Sequence, residues 1–303
     1  MGSYFKERIW LIYTILAALS WGIWGILTKL ISHNISPFET HFMFTAGAIF
    51  TLPLVMRNCK IRDVSIRGIF YGISAGILAV IGNVSVYQSF KLGGQAAIVI
   101  PFTNLYPLVT IVIALLIFKE KLQWRNGIGI LIVVPAILIL SGQSQIFTDP
   151  VLFFQTLGLK VWLLFAFLSL LLFGLFSASQ KVIANYLSAE WSYVSFIISS
   201  AFVSVLFLAF GLIDFNFSQK TFWFASMAGI FDSLGVLAIY LAYRAKGKAS
   251  RVSSIAGTLQ QLFTIVFAVI ILNERLDLAS CFGIVLAILG AFLLSFDQKE
   301  KVL

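Results

Sequence analysis

Phe118-Lys119-Glu120-Lys121-Leu122 and Leu272-Asn273-Glu274-Arg275-Leu276 are two copies of one junction, each closing a long apolar run. At the same offset Gly93 falls on Gly247, Thr110 on Thr264 and Gly129 on Gly283. At a slightly shorter offset, Trp21-Gly22 through Lys29 falls on Phe173-Gly174 through Lys181. The chain is an internal duplication, and a repeat of this period governs how the whole fold is read.

Composition sets the medium. Apolar residues make up 60% of the 303 residues and charged residues 11%, against roughly 45–50% and about 25% in soluble domains. Apolar runs near 20 residues, the length that crosses the hydrocarbon core, recur throughout. They predict ten spans at 9–31, 37–56, 67–90, 95–117, 124–141, 160–184, 191–213, 221–243, 250–272 and 277–296. Backbone inside a bilayer must satisfy its own hydrogen bonds, so unalternating runs of this length can only be helices. The expected fold is an all-α polytopic membrane protein of ten transmembrane helices, with 1–141 as the first repeat, 142–159 as linker and 160–303 as the second repeat.

The net charge of +9 is distributed by side rather than by domain. Lys6, Arg8, Arg57, Lys60, Arg62, Arg67, Lys119, Lys121, Arg125, Arg244, Lys246, Lys248, Arg251, Lys299 and Lys301 share one side. Only Lys91, Lys160, Lys220 and Arg275 mark the other. The positive-inside bias places both termini in the cytoplasm. The expected location is the plasma (bacterial inner) membrane. The basic balance then reports orientation and contact with lipid headgroups, not nucleic acid. Five spans per copy is an odd number, so the second copy crosses the membrane upside down. Inverted five-plus-five repeats are a recurrent plan of secondary transporters, with the solute site near the midplane.

The residues carry a family resemblance as well. The paired Glu120-Lys121-Leu122 and Glu274-Arg275-Leu276, the glycine-rich fifth and tenth spans and the entry Ser20-Trp21-Gly22-Ile23-Trp24-Gly25 with Lys29 resemble the EamA branch of the drug/metabolite transporter superfamily. The likeness covers nearly the whole chain. It implies a central cavity lined by spans 1, 3, 4, 6, 8 and 9 and export of small metabolites, amino acids or drugs, without fixing the solute.

Asp232 is the sharpest single candidate. A charge near mid-span costs roughly 2.5–3.5 kcal/mol on insertion scales, so such residues face a cavity and have a task. Reversible protonation there would couple solute movement to protons; a structural hydrogen-bonded acid is the alternative. The expected solute-binding set is Trp21, Trp24, Asn83, Tyr87, Gln88, Asn104, Tyr106, Gln180, Gln260 and Gln261. Asn83, Tyr87 and Lys91 share one face of the third span by their spacing. Lys29 and Lys181 stand at equivalent repeat positions as gate charges that could meet Glu39 or Glu190, or as span-end lysines reaching the interface. Pro101 and Pro107 loosen the fourth span and are the expected gating prolines. His33 and His41 are read as interfacial, and Glu120 and Glu274 as organisers of span junctions.

No zinc-protease His-Glu-x-x-His pair, aspartyl-protease carboxylate pair or phosphate-binding Walker loop occurs. The expectation is therefore a carrier rather than an enzyme, without cofactor or metal, acting on a small-molecule solute among membrane lipids as monomer or homodimer. A lipid scramblase and an uncoupled uniporter are the alternatives.

Overall fold

The computed structural model describes residues 9–57, 59–60, 64–106, 108–109, 112–113, 124–140, 160–183, 186–245 and 249–294. Its helices are α1 (Ile9–Ile31), α2 (Pro37–Ile49), α3 (Leu52–Met56), α4 (Ile66–Lys91), α5 (Ala96–Thr103), α6 (Trp124–Leu140), α7 (Val161–Ile183), α8 (Ala189–Ala209), α9 (Gln219–Arg244), α10 (Ala249–Ile271) and α11 (Leu278–Leu294). Among the described residues, six helical stretches are long and apolar enough to cross a membrane. The chain is an integral membrane protein of helices. The linker 142–159, the first junction with Glu120, and Pro107 lie outside the described residues, as do the side chains of Lys181 and Tyr243.

Two expected spans are broken rather than straight. The second splits into α2 and α3 at Phe50 and Thr51, just before Pro53, which has no N–H to continue the ladder. The fourth leaves helix after Thr103. Leu105 and Tyr106 turn with bonds to the carbonyls three residues back, at 3.2 and 3.1 Å. Tyr106 precedes Pro107, and the residue before proline is driven away from the α region. Among the described residues of the expected span 95–117, the helix is thus interrupted by a turn at Asn104–Tyr106, and residues 108–109 and 112–113 are helical again. Gly72-Ile73-Ser74-Ala75-Gly76 spells the Gly-x-Ser-x-Gly of serine hydrolases, but it lies inside continuous α4, not on the strand-to-helix turn that chemistry needs.

Small residues decide how the helices cross. Gly68, Gly72 and Gly76, spaced by four on α4, meet Leu187, Ser195 and Ser199 of the α8 region. The Ser199 hydroxyl donates to the Ile73 carbonyl at 3.0 Å. On the other side of the bundle Gly47 of α2 lies against the Ser226 carbonyl, and Gly229 of α9 against the Phe44 carbonyl, with no room for a Cβ. Backbones this close are how helices associate where lipid competes equally for apolar side chains. Gly283 of α11 packs on Ile139 and Leu140 of α6, whereas Gly127 has open space among the described residues.

The packing repeats when the halves are exchanged. Helix α1 packs on α9 as α7 packs on α4, and α2 on α9 as α8 on α4, while α6 pairs with α11 and α5 with α10. Single contacts obey the same rule. The Trp21 indole covers Gly235 as the Phe173 ring covers Gly82, and Gly22 meets Phe263 as Gly174 meets Val109. Each half completes the other, so the core is built between the copies rather than within them.

Candidate functional site

Asp232 occupies the middle of α9, one turn beyond Gly229, whose contact with Phe44 presses α9 onto α2. One turn further, Gly235 admits the Trp21 indole, and Trp21 Nε1 donates to the Asp232 main-chain carbonyl at 3.3 Å. Asp232 is 6% exposed. Among the described residues no hydrogen bond or salt bridge reaches its carboxylate. The hydroxyls of Tyr87 on α4 and Tyr193 on α8 lie within its electrostatic reach.

Aromatic side chains from four helices are linked to one another beside this stretch of α9. Trp24 Nε1 donates to the Tyr87 hydroxyl at 3.2 Å, with ring centroids 6.2 Å apart. Phe44 lies on the other side of Tyr87 at 6.5 Å. Tyr193 is fixed by a short hydrogen bond to Thr51 Oγ1, in the break between α2 and α3. Asn83, one turn before Tyr87, is buried.

A second polar group lies across α1. Gly22 and Gly25 of α1 face Phe263 and Thr264 of α10 and Ile100 of α5. Gln261 is fully buried with both amide atoms unpaired, and the Thr258 and Thr264 hydroxyls and Asn104 Nδ2 are likewise unpaired among the described residues. Gln260 is buried beside them. Buried amides normally find partners, so this arc keeps hydrogen-bonding capacity in reserve. Tyr106 follows Asn104 and is half-buried, and Pro101 is buried within α5. Trp21 and Trp24 on one face of α1 and its glycines on the other make that helix the partition between the two groups. Gln88 and Gln180 are half-buried.

Lys29 differs from its expected pairing. Its ammonium donates to the Gly94 carbonyl at 2.7 Å and the Phe90 carbonyl at 3.3 Å, and lies 5.6 Å from the Phe90 ring. The acid near it is Glu274, not Glu39. Glu39 is spent in a capping box, accepting from the Ser36 amide at 2.7 Å. The Glu274 carboxylate accepts from the amides of Ala96 at 2.8 Å and Ala97 at 2.9 Å, capping α5 from the other half of the chain. Asn273, with φ of 52°, turns the chain into that position. Asparagine tolerates this left-handed geometry better than most residues. Gly93 makes the facing turn with φ of 97°, where a side chain would be strained. Lys91 leaves the Asn83–Tyr87 face to donate to the Ile35 carbonyl at 3.1 Å.

His41 is corrected from interface to interior. It is fully buried between α2 and α8, its Nε2 3.3 Å from the Ser200 carbonyl, beside Thr45 and Ser204. Ser36 caps α2 at its expected start, and His41 lies just over one turn inside the helix. Sequence reading missed Tyr193, Thr51 and Phe44. The repeat offers a signal for the first, since Tyr193 stands in the second copy where His41 stands in the first. Thr51 and Phe44 lacked one, being ordinary residues of an apolar run.

A helical bundle with six membrane-length apolar stretches, whose halves pack by mutual exchange, defines a polytopic membrane protein. The EamA-like transporter family matches residues 8–142 and again 160–296, and the chain belongs to that family. An uncharacterized transporter of Archaeoglobus fulgidus is 25% identical over 94% of this chain and 97% of its own length. One of Clostridium kluyveri is 23% identical over 96% and 94%. An uncharacterized protein of Methanocaldococcus jannaschii is 26% identical over 131 residues, 43% of this chain but 95% of that protein. A solved crystal structure, 14% identical, covers 93% of this chain with a TM-score of 0.61, a likeness of fold alone. The chain is a transporter and not an enzyme.

Proposed function

We propose that the protein is a secondary carrier, exporting small amino acid-like or amphiphilic solutes across the bacterial inner membrane by alternating access, with Asp232 as its proton-coupling group. Repeats 1–141 and 160–303, joined by the linker 142–159, would run in opposite directions with both termini cytoplasmic. The charge asymmetry and the reciprocal helix packing support that arrangement, as does a relative the length of one copy. Inverted copies can exchange conformations and so present one site to either side.

The observation that carries the coupling is Asp232 itself: buried, central and without a partner among the described residues. An ion in that setting is costly unless it is neutralised by a proton or by the solute. In proteoliposomes bearing a pH gradient, Asp232→Asn is expected to cut proton-linked solute flux at least tenfold while the protein still unfolds cooperatively near the wild-type temperature. Unchanged flux in that variant from pH 5 to 8 would end the coupling proposal.

A further inference from the structure

The geometry points to a site for an uncharged amide edge, an N–H donor beside a carbonyl acceptor, held by Gln261 where α10 meets the interrupted fourth span. This inference rests on the carrier reading and names the chemistry of its solute. Gln261 and Thr264 are fully buried, and Asn104 is nearly so. Both amide atoms of Gln261, the Thr258 and Thr264 hydroxyls and Asn104 Nδ2 have no hydrogen-bond partner among the described residues. Those five atoms are half of the ten buried side-chain atoms left unpaired there. Unpaired polar atoms are costly in an interior, so their concentration on one pair of elements asks for a ligand rather than for chance.

Packing brings these atoms to one level. Glu274, just beyond α10, caps α5 at the amides of Ala96 and Ala97, so the two helices run antiparallel. One turn into α5 the register is set at Gly25 of α1, where a Cβ would meet Ile100 at 3.5 Å and Thr264 at 3.7 Å. Four residues further along each helix, ~6 Å at the α-helical rise, Asn104 comes level with Gln260 and Gln261. Asn104 and Thr258 are also one position in the two copies, at the offset that pairs Gly93 with Gly247. The group therefore sits where the copies meet, beside the Asn104–Tyr106 turn, and interrupted helices between repeats are where carriers hold solute. Gly257, one turn before Gln261, supplies room: a Cβ there would meet nothing within 4 Å among the described residues.

The unpaired atoms define what the solute presents. A glutamine side chain carries a donor and an acceptor side by side, an edge that another amide matches with two hydrogen bonds. Asn104 adds a donor, and the threonine hydroxyls both donate and accept. A carboxylate only accepts and leaves Gln261 Oε1 unpaired; an ammonium or amidinium only donates and leaves the amide N–H groups unpaired. No charged side chain among the described residues joins the group to offset either ion. The Lys29 ammonium is held by the Phe90 and Gly94 carbonyls, and Glu274 by the Ala96 and Ala97 amides. In a dry site the missing bond and the uncompensated charge both count against an ion. A neutral amide, whether a carboxamide or the cyclic amide of a nucleobase, leaves neither.

The test uses the purified full chain in detergent, read by calorimetry. Benzamide, benzoate and benzamidinium are three probes of one shape, and uracil is the cyclic amide. Benzamide or uracil is expected to bind at least tenfold more tightly than either ion, and the tighter of the two tells a carboxamide from a nucleobase edge. Gln261→Leu is expected to weaken that amide at least tenfold while preserving or raising the unfolding temperature, because it removes unpaired polar atoms from the interior. Gly257→Leu, which fills the open space and touches no polar atom, should weaken it as well. An ion binding as tightly as the amides, no binding of either amide, or undiminished amide binding in Gln261→Leu overturns the assignment. So does a marked fall in the unfolding temperature of Gln261→Leu, which would show a glutamine that serves the fold. Flux in proteoliposomes separates the two readings. Transport of charged solutes alone, unaffected by Gln261→Leu, would leave the carrier standing and sink the amide site. Amide binding with no transport of any solute would sink the carrier and leave the site.

Discussion

Four carboxylates show how placement decides role. Glu39, Glu274 and Asp277 each accept backbone amides at the start of a helix, where the exposed N–H groups and the dipole favour negative charge. Asp232 meets none of these, which is why its residue type could be singled out from sequence while its environment could not. Its neighbours Phe44 and Thr51 carry no periodic or compositional mark, and Tyr193 is marked only by its repeat position opposite His41. Asp277 gives a test of the capping logic. Hydrogen bonds from the Ser280 hydroxyl and amide, the latter at 2.7 Å, hold its carboxyl below the ordinary range. A lowered folded value contributes stability above the unfolded value, ~3.9 for aspartate, and loses it as pH falls through the folded one. Asp277→Ala is expected to lower the unfolding temperature slightly at pH 7, with the difference from wild type shrinking as acid protonates the carboxyl. A difference that persists in acid would assign the effect to packing instead of charge.

Helices were legible where composition alone determines them and illegible where proline or capping intervenes. The runs that became α1, α4, α7, α8 and α9 match their expected spans to within a few residues, because twenty apolar residues in lipid have one outcome. The breaks at Phe50–Thr51 and Asn104–Tyr106 depend on which carbonyls lose a donor beside Pro53 and Pro107, a three-dimensional question. Crossing points were hidden too, since a glycine in an apolar run does not announce its neighbour. Gly47 and Gly229 are the sharpest case, each seated on a carbonyl of the facing helix. Gly229→Leu is expected to push α9 away from α2 and destabilise by more than the ~1–3 kcal/mol typical of overpacking, because backbone rather than a flexible side chain is in the way. Thermal unfolding in detergent measures it. Gly127→Leu, at a position with open space, serves as the control and should change little.

Across the whole molecule, repeated sequence became reciprocal packing, and the departures from reciprocity are where function concentrates. Asp232 on α9 has Ala79 as its counterpart on α4, by the contacts that match Gly229 with Gly76 and Gly235 with Gly82. The duplicated junction itself is symmetric in sequence, and its second copy is the one the structure describes. There Glu274 caps α5 across the halves while Lys29 holds the α4–α5 turn. Hydrogen bonds to a charged group are worth roughly 1.5–3 kcal/mol each, enough to bias two states of similar energy at least tenfold. Glu120, at the equivalent repeat position, would act at the opposite end of the bundle, so the two acids should pull the equilibrium in opposite directions. Spin labels at His33 and Leu278, placed after Cys59 and Cys281 are replaced by serine, report the opening of the Glu274 end. Glu274→Gln is expected to lengthen the distance distribution between them by electron–electron double resonance. Glu120→Gln is expected to shift the same distribution toward the short, closed population. Shifts in the same direction, or none, would mean that these carboxylates only tie helix ends and do not set which side of the carrier is open.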